Sequence, residues 1–268
     1  MKNTLLANGR RIAWLASGKD LPAVPLVLLH GFCEDSALWA PVLPQLRGIP
    51  TVRIDLPGFG ASQAPLASGM AVYADAVCAV LNELGIDRCV LIGHSMGGYA
   101  ALEFARQHPE RLAGLGLMHS HPYEDTPERK ENRRRGIAMV QARKKHLYVA
   151  QLFPGLFAPA FAQAHPEVVE RLIRNGRRQS VAGIATALQS MIDRADHTDT
   201  LRRMPCPALF LLGELDSIIP PAQGLAAAAL PPVADVHLLP GIGHMGMFEI
   251  PGRSAEIISN FWQFCTQQ

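Results

Sequence analysis

The feature that most restricts the fold is a set of short, nearly uninterrupted apolar runs. Pro25 to Leu29 reads PLVLL, Thr51 to Leu56 reads TVRIDL and Arg88 to Ile92 reads RCVLI. Each is followed within two residues by a glycine (Gly31, Gly58 and Gly93). A strand with one wet face alternates apolar and polar residues. Runs that do not alternate suit strands buried on both faces, the condition of a parallel sheet covered by helices. Leu115 to Met118, Ala208 to Leu212 and Val236 to Leu239 are three further candidates. Helical spacing lies between the runs. Val72, Ala76, Val80 and Leu84 recur every four residues, Tyr99 to Gln107 stops at His108-Pro109, and Ile257, Ile258, Phe261 and Trp262 share a face of a closing helix that begins near Ser254. This alternation predicts an α/β chain with a doubly wound, mostly parallel sheet. At the amino end, Asn8-Gly9 between Leu5-Leu6 and Ile12-Ala13-Trp14 predicts a hairpin.

One long segment does not alternate. From His121 to about Asp199 only helical spacing is found, for example Val168, Val169, Leu172 and Ile173, then Ile184, Leu188, Met191 and Ile192. It carries thirteen basic and nine acidic residues, a formal +4, against −2 for the rest of the chain. The expected organisation is therefore a core of residues 1–120 and 200–268, with residues 121–199 inserted as a helical cap. Within it, Arg133-Arg134-Arg135 and Arg143-Lys144-Lys145 read as a solvated helix face, with attraction of an anionic substrate or partner as the alternative.

Bulk properties remove several classes. Hydrophobic residues make up 49% of the 268 and charged residues 18%, enough apolar material for a large core and far from a disordered chain. A net charge of +2, with no basic tract interleaved with aromatics, argues against a nucleic-acid partner. Cys33, Cys78, Cys89, Cys206 and Cys265 are odd in number and scattered, so neither a disulfide framework nor a zinc motif is indicated. Free thiols, an amino-terminal stretch interrupted by Asn-Gly-Arg-Arg and the absence of an apolar run near 20 residues give the expectation of a cytoplasmic protein without a membrane span. Oligomeric state cannot be read from the chain.

The sharpest local signal is Gly93-His94-Ser95-Met96-Gly97-Gly98, placed after an apolar strand and before a helix. In that context G-x-S-x-G makes a nucleophile elbow, in which a tight turn lifts the serine hydroxyl above the sheet edge. A serine hydroxyl is a weak nucleophile near neutral pH and needs a base. Of ten histidines, His244 stands out, in the glycine-rich loop Gly241-Ile242-Gly243-His244 after the last predicted strand.

Taken in order, HGF at 30–32, DLPGFGAS at 55–62, GHSMGG at 93–98, GELDSIIP at 213–220 and GIGHMGMFEIP at 241–251 resemble the successive signatures of α/β-hydrolase fold enzymes. The resemblance covers nearly the whole chain outside the cap. It implies a catalytic triad of Ser95, Asp216 and His244, in that chain order. Glu214 is the rival acid, but Gly213-Glu214-Leu215-Asp216 follows the family's pattern of glycine, two residues, then the acid. The position after the preceding strand reads Met118-His119-Ser120 and offers no carboxylate. It also implies an oxyanion hole from the backbone amides of Met96 and Phe32, with His30 fixing its loop, His94 packing, and Glu249 and Pro251 structural. His119 and His121 have a metal-like spacing but no third ligand in view, so no metal site and no cofactor are expected.

A serine rather than an aspartate at the elbow favours acyl chemistry. The expected activity is hydrolysis of a carboxylic ester, lactone or thioester of a small, largely apolar substrate through an acyl-enzyme. Phe32, Cys33, Met139, Phe153 and Phe157 are candidates to line the pocket. The alternatives are a serine hydrolase of C–C bonds in ring-cleavage diketones, a cofactor-free haloperoxidase or perhydrolase, and a non-catalytic hydrolase-fold binding protein.

Overall fold

The structure, a computed structural model, describes residues 2–17 and 24–267. Eight strands are found in it: β1 (Asn3–Ala7), β2 (Arg10–Ser17), β3 (Leu26–Leu29), β4 (Thr51–Asp55), β5 (Cys89–His94), β6 (Leu112–Met118), β7 (Ala208–Gly213) and β8 (Ala234–Leu239). They form one sheet in the order β1-β2-β4-β3-β5-β6-β7-β8. β1 and β2 pair antiparallel through a turn at Asn8 and Gly9, both at positive φ, as a two-residue hairpin requires. β2 also runs antiparallel to β4, and every later pairing is parallel. All residues of β3, β5, β6 and β7 are buried, which is why their sequences do not alternate. β8, the edge strand, does alternate and leaves Val236 and Leu238 exposed.

Helices flank the sheet: α1 (Met70–Glu83), α2 (Met96–Gln107), and, after the helices between β6 and β7, α9 (Pro221–Ala228), α10 (Gly246–Glu249) and α11 (Pro251–Thr266). Between β6 and β7 the described residues form helices and turns only: α3 (Pro127–Met139), α4 (Lys145–Leu152), α5 (Pro159–Ala164), α6 (Pro166–Arg178), α7 (Val181–Asp193) and α8 (Thr198–Arg202). A tight turn over Val140–Lys144, with Arg143 at φ +63°, separates α3 from α4.

The chain passes from β3 to β4 on one side and returns to place β5 on the other side of β3. Such a reversal opens a crevice at the carboxyl ends of β3 and β5, the place where open α/β sheets bind ligands. The loops leaving those ends carry His30-Gly31-Phe32 and Ser95.

Candidate active site

Ser95 is the residue between β5 and α2 and holds φ +50°, ψ −115°, a conformation that costs a non-glycine residue on the order of 1–3 kcal/mol and persists only where surroundings enforce it. The enforcement is visible. Ser95 N–H donates to the Met118 carbonyl (3.0 Å), and the Ser120 hydroxyl donates to the Ser95 carbonyl (2.8 Å). A Cβ on Gly93 would stand 2.2 Å from the Gly97 oxygen, and one on Gly97 would stand 2.6 Å from the carbonyl oxygens of Leu29 and His30. Only glycine lets strand, elbow and helix approach this closely.

The loop carrying His244 follows β8. His244 Nδ1 lies 2.7 Å from Asp216 Oδ2, with both side chains buried. Asp216 Oδ1 accepts the amides of Ile218 and Ile219 at 2.9 and 2.8 Å, which fixes the carboxylate plane. Since the carboxylate only accepts, the His244 Nδ1 carries the proton and Nε2 is left as the basic nitrogen. Burial alone would raise the Asp216 carboxyl. The neighbouring charge of His244 and the Nδ1 groups of His119 and His244 outweigh it and hold the group well below the usual carboxylate range. Glu249 ties the loop down by accepting amides from Gly243 (3.0 Å), Met245 (3.1 Å) and Ala158 (3.1 Å). Among the described residues no hydrogen bond joins the Ser95 hydroxyl to His244. Such bonds are often long without a ligand and tighten on binding.

His30 joins the two loops that meet here: its Nε2 accepts the Leu56 amide (2.9 Å) and its Nδ1 donates to the Gly31 carbonyl (2.7 Å). Neither the Phe32 nor the Met96 amide donates to an acceptor among the described residues, and Met96 opens α2, where an amide has no helical partner. Glu34 accepts the Gly31 amide at 2.8 Å, and its Oε2 lies 3.3 Å from His94 Nδ1.

Two residues gain a place that the chain alone does not suggest. His119, fully buried at φ +50°, accepts the Gly246 amide on Nε2 (3.3 Å), so its proton sits on Nδ1, 3.3 Å from Asp216 Oδ2. That contact is close but poorly aligned for a full hydrogen bond. Burial pushes His119 down to about 4, so it is neutral at ordinary pH. The atoms of His119, Asp216 and His244 lie within 4.8 Å of one another, a metal-like grouping that differs from the His119/His121 spacing seen in the sequence. One carboxylate between two imidazole N–H groups accounts for it. The other residue is His94, whose Nε2 faces the His244 carbonyl at 3.0 Å, a hydrogen bond rather than simple packing.

The candidate lining residues divide. Cys33 and Phe153, both fully buried, border a cavity of about 420 Å³ with Glu34, Leu38, Arg171 and Phe248. Burial raises the Cys33 thiol well above its ordinary range, with Glu34 adding to the effect, so the thiolate is disfavoured. Phe32 is half-buried and meets Phe59 and Tyr148 edge-on at 6.0 and 6.4 Å. Phe157 stacks on Phe161 at 5.3 Å, and Met139 closes α3 at a half-buried position, both outside that lining. All five cysteines are unpaired, and among the described residues no helix is long and apolar enough to cross a membrane.

Comparison with known proteins agrees with the fold. Residues 24–251 match the alpha/beta hydrolase fold family. The chain is 30% identical over 252 residues to a 2-succinyl-6-hydroxy-2,4-cyclohexadiene-1-carboxylate synthase of Pectobacterium atrosepticum, covering 92% of this chain and 97% of the relative. It is 29% identical over 251 residues to a 2-hydroxy-6-oxononadienedioate/2-hydroxy-6-oxononatrienedioate hydrolase of Burkholderia vietnamiensis, covering 88% and 86%. A thermophilic esterase from Thermogutta terrifontis, solved with malate bound, superposes with a TM-score of 0.92 at 32% identity over 99% of both chains. This chain therefore belongs to the alpha/beta hydrolase fold family.

Proposed function

We infer that the protein is a serine hydrolase that cleaves a carboxylic ester or lactone through an acyl-enzyme, with Ser95 as nucleophile, His244 as base and Asp216 as its orienting acid. The observation that carries this reading is the buried Asp216–His244 contact at 2.7 Å, in a loop that reaches the sheet edge where Ser95 is held at positive φ. In the first half-reaction the Ser95 oxygen attacks the carbonyl carbon while His244 Nε2 takes its proton. The tetrahedral oxyanion is met by the Phe32 and Met96 amides, each contributing on the order of 3 kcal/mol. The C–O bond breaks and His244 returns the proton to the leaving alcohol. In the second half-reaction water gives a proton to His244 as its oxygen attacks the acyl carbon. On collapse the bond to Ser95 breaks, His244 returns the proton to the Ser95 oxygen, and the acid leaves. The helical segment 121–199 serves as the cap: Leu156 accepts the His244 amide at 2.7 Å, and Phe153 borders the cavity.

A second reading, cleavage of a C–C bond, draws on the similarity to the 2-hydroxy-6-oxononadienedioate/2-hydroxy-6-oxononatrienedioate hydrolase of Burkholderia vietnamiensis. The same residues would then release a carbon leaving group from a vinylogous diketone. Hydrolysis of p-nitrophenyl acetate against a 1,5-dienol-ketone separates the two. Under either, Ser95→Ala is expected to lose at least about a thousandfold in kcat and to escape labelling by a fluorophosphonate, with the fold intact by circular dichroism. Undiminished turnover by that variant would remove Ser95 as nucleophile.

A further inference from the structure

A buried carboxylate shared by two arginines lies beside Tyr99 of α2. Asp125, fully buried, is shared by two guanidinium groups. Arg133 holds it through Nε and Nη2, and Arg194 holds it through Nη1 at 2.8 Å. Arg194 is 1% exposed and has no other carboxylate; its remaining donors go to the carbonyls of Tyr123 and Met191. Arg129, on the turn of α3 before Arg133, donates to the Ile218 carbonyl and forms no ion pair among the described residues. Asp216, nearby in sequence to Ile218, is committed to His244 and His119. Two guanidinium groups thus share one buried carboxylate, with the half-buried Arg129 on the adjoining turn. A buried cation without an anion is costly, and a protein interior does not keep such a surplus without a use or a partner.

A second observation points the same way. His121 is 2% exposed, and its Nδ1 accepts the Tyr123 amide at 3.1 Å. An amide only donates, so the ring proton is on Nε2, and that N–H has no partner among the described residues. Burial, then the neighbouring Arg194 and Arg129, push His121 down to about 3, so it stays a neutral donor. An unpaired buried donor beside two guanidinium groups calls for an acceptor, and an anionic one is favoured most.

The cluster adjoins the chemistry. Tyr99, under Arg194 at 4.0 Å and edge-on to His121 at 5.6 Å, sits four residues past Ser95 on α2, one helical turn away. Its hydroxyl makes no hydrogen bond among the described residues. Arg133 also lies near enough to Tyr148 to feel its hydroxyl, and Tyr148 packs on Phe32. Of the Arg133-Arg134-Arg135 triplet, Arg134 and Arg135 face solvent and pair with Glu131, whereas Arg133 turns inward.

We propose that Arg133, the His121 Nε2–H and the Tyr99 hydroxyl form a carboxylate-binding subsite one helical turn from Ser95, so that the substrate is an ester or lactone bearing a second, free carboxylate. This rests on the reading of Ser95 as nucleophile, and it replaces a wholly apolar substrate with one that has an acidic end. Balance is then reached, since the substrate carboxylate supplies the anion that Asp125 cannot supply twice.

Mono-p-nitrophenyl succinate and p-nitrophenyl butyrate differ in ending on a carboxylate or a methyl group. The wild-type protein is expected to favour the succinate by about tenfold or more in kcat/KM, the scale of one charge-assisted hydrogen bond. Arg133→Gln and His121→Phe should each lower that ratio toward one. A wild-type preference for butyrate, or variants that slow both esters equally, would overturn the subsite and leave the hydrolase reading standing. Should neither ester be cleaved, that reading fails, and the subsite is judged by binding alone. Succinate, but not neutral butyramide, is expected to raise the melting temperature of the wild type. Equal shifts for Arg133→Gln and His121→Phe, or no shift in the wild type, would reject it. The two variants are independent, so misfolding of one leaves the other to decide.

Discussion

His94 Nε2 stands 3.0 Å from the backbone carbonyl of His244, and because a carbonyl only accepts, that nitrogen keeps its proton. His94 Nδ1 then faces Glu34 Oε2 at 3.3 Å, in a pair that is almost wholly buried. The same Glu34 oxygen accepts the Gly31 amide, one residue before Phe32. A single chain of contacts thus connects the loop of the proposed oxyanion amide, the elbow and the loop of the proposed base.

That chain makes Glu34 a positioning residue. Glu34→Ala is expected to lower kcat by about tenfold to a hundredfold, with a smaller change in KM, because a loop displaced by a fraction of an ångström weakens the transition state more than the bound ester. Glu34→Gln retains an acceptor for Gly31 and should recover part of the loss. The comparison is read from steady-state kinetics on one activated ester. A rise in KM alone would show that Glu34 acts only as a wall of the 420 Å³ cavity.

His119 supports Asp216 at the same carboxylate oxygen, Oδ2, that faces His244. His119→Ala strands the Gly246 amide in the interior and removes an N–H from the carboxylate. A loss of about 1–3 kcal/mol in urea unfolding is expected from the unpaired amide, together with a fall in kcat of roughly tenfold. Unfolding curves and initial rates on the same preparation test both. Full stability in the variant would mean that water replaces the imidazole at no cost.

Acid should destabilise the fold earlier than carboxylates alone predict. Burial pushes His119 down to about 4 and His121 down to about 3, against 6.5 in the open chain. Below pH 6.5 the unfolded chain binds protons that the folded one refuses, so stability falls with pH; above it both states are neutral and the contribution is level. Between pH 7 and 5 each histidine is expected to cost up to about 2 kcal/mol. Asp216, depressed in the fold, adds a loss of the same sign only below its ordinary 3.8. Urea midpoints at pH 7 and 5 measure the slope, which His121→Phe should flatten. An unchanged slope in that variant would show that His121 is not held neutral.

Which features could be read from the chain follows from how local their causes are. Strands buried on both faces carry their burial in their own letters, so PLVLL and RCVLI were legible as sheet interior. β6 begins at Leu112, earlier than its apolar run from Leu115, because Gly114 and Gly116 interrupt the pattern. A Cβ at Gly114 would stand 2.5 Å from Cys265 Sγ on α11, and one at Gly116 would stand 2.6 Å from Ile92, contacts that no local pattern records. The elbow's close approaches were legible because glycine spacing expresses them directly. The role of His119 was not, since it depends on Asp216, 97 positions away, although a histidine where the strand ends was a signal of sorts. Arg133 was hidden among three arginines, and only the fold distinguishes the one that turns toward Asp125.

The helical segment proposed as the cap meets the core through bare backbone, and that contact inverts an ordinary helix rule. Gly183 lies in the first turn of α7, after Ser180, whose hydroxyl accepts its amide at 2.9 Å. Elsewhere in an exposed helix, glycine to alanine gains up to about 1 kcal/mol. Here a Cβ on Gly183 would stand 2.0 Å from the Gly58 carbonyl oxygen, in the turn after β4. Gly58 itself holds φ +92°, so it cannot easily turn aside. The adjacent contacts also cross from cap to core: the Gly60 amide donates to Gln179 Oε1 (2.9 Å) and the Gly69 amide to Ser190 Oγ (2.8 Å). Gly183→Ala is therefore expected to destabilise by about 1–3 kcal/mol, as overpacking does, and to lower the urea midpoint rather than raise it. A neutral or stabilised variant would show that α7 lifts from the turn at little cost, and that the cap is held elsewhere.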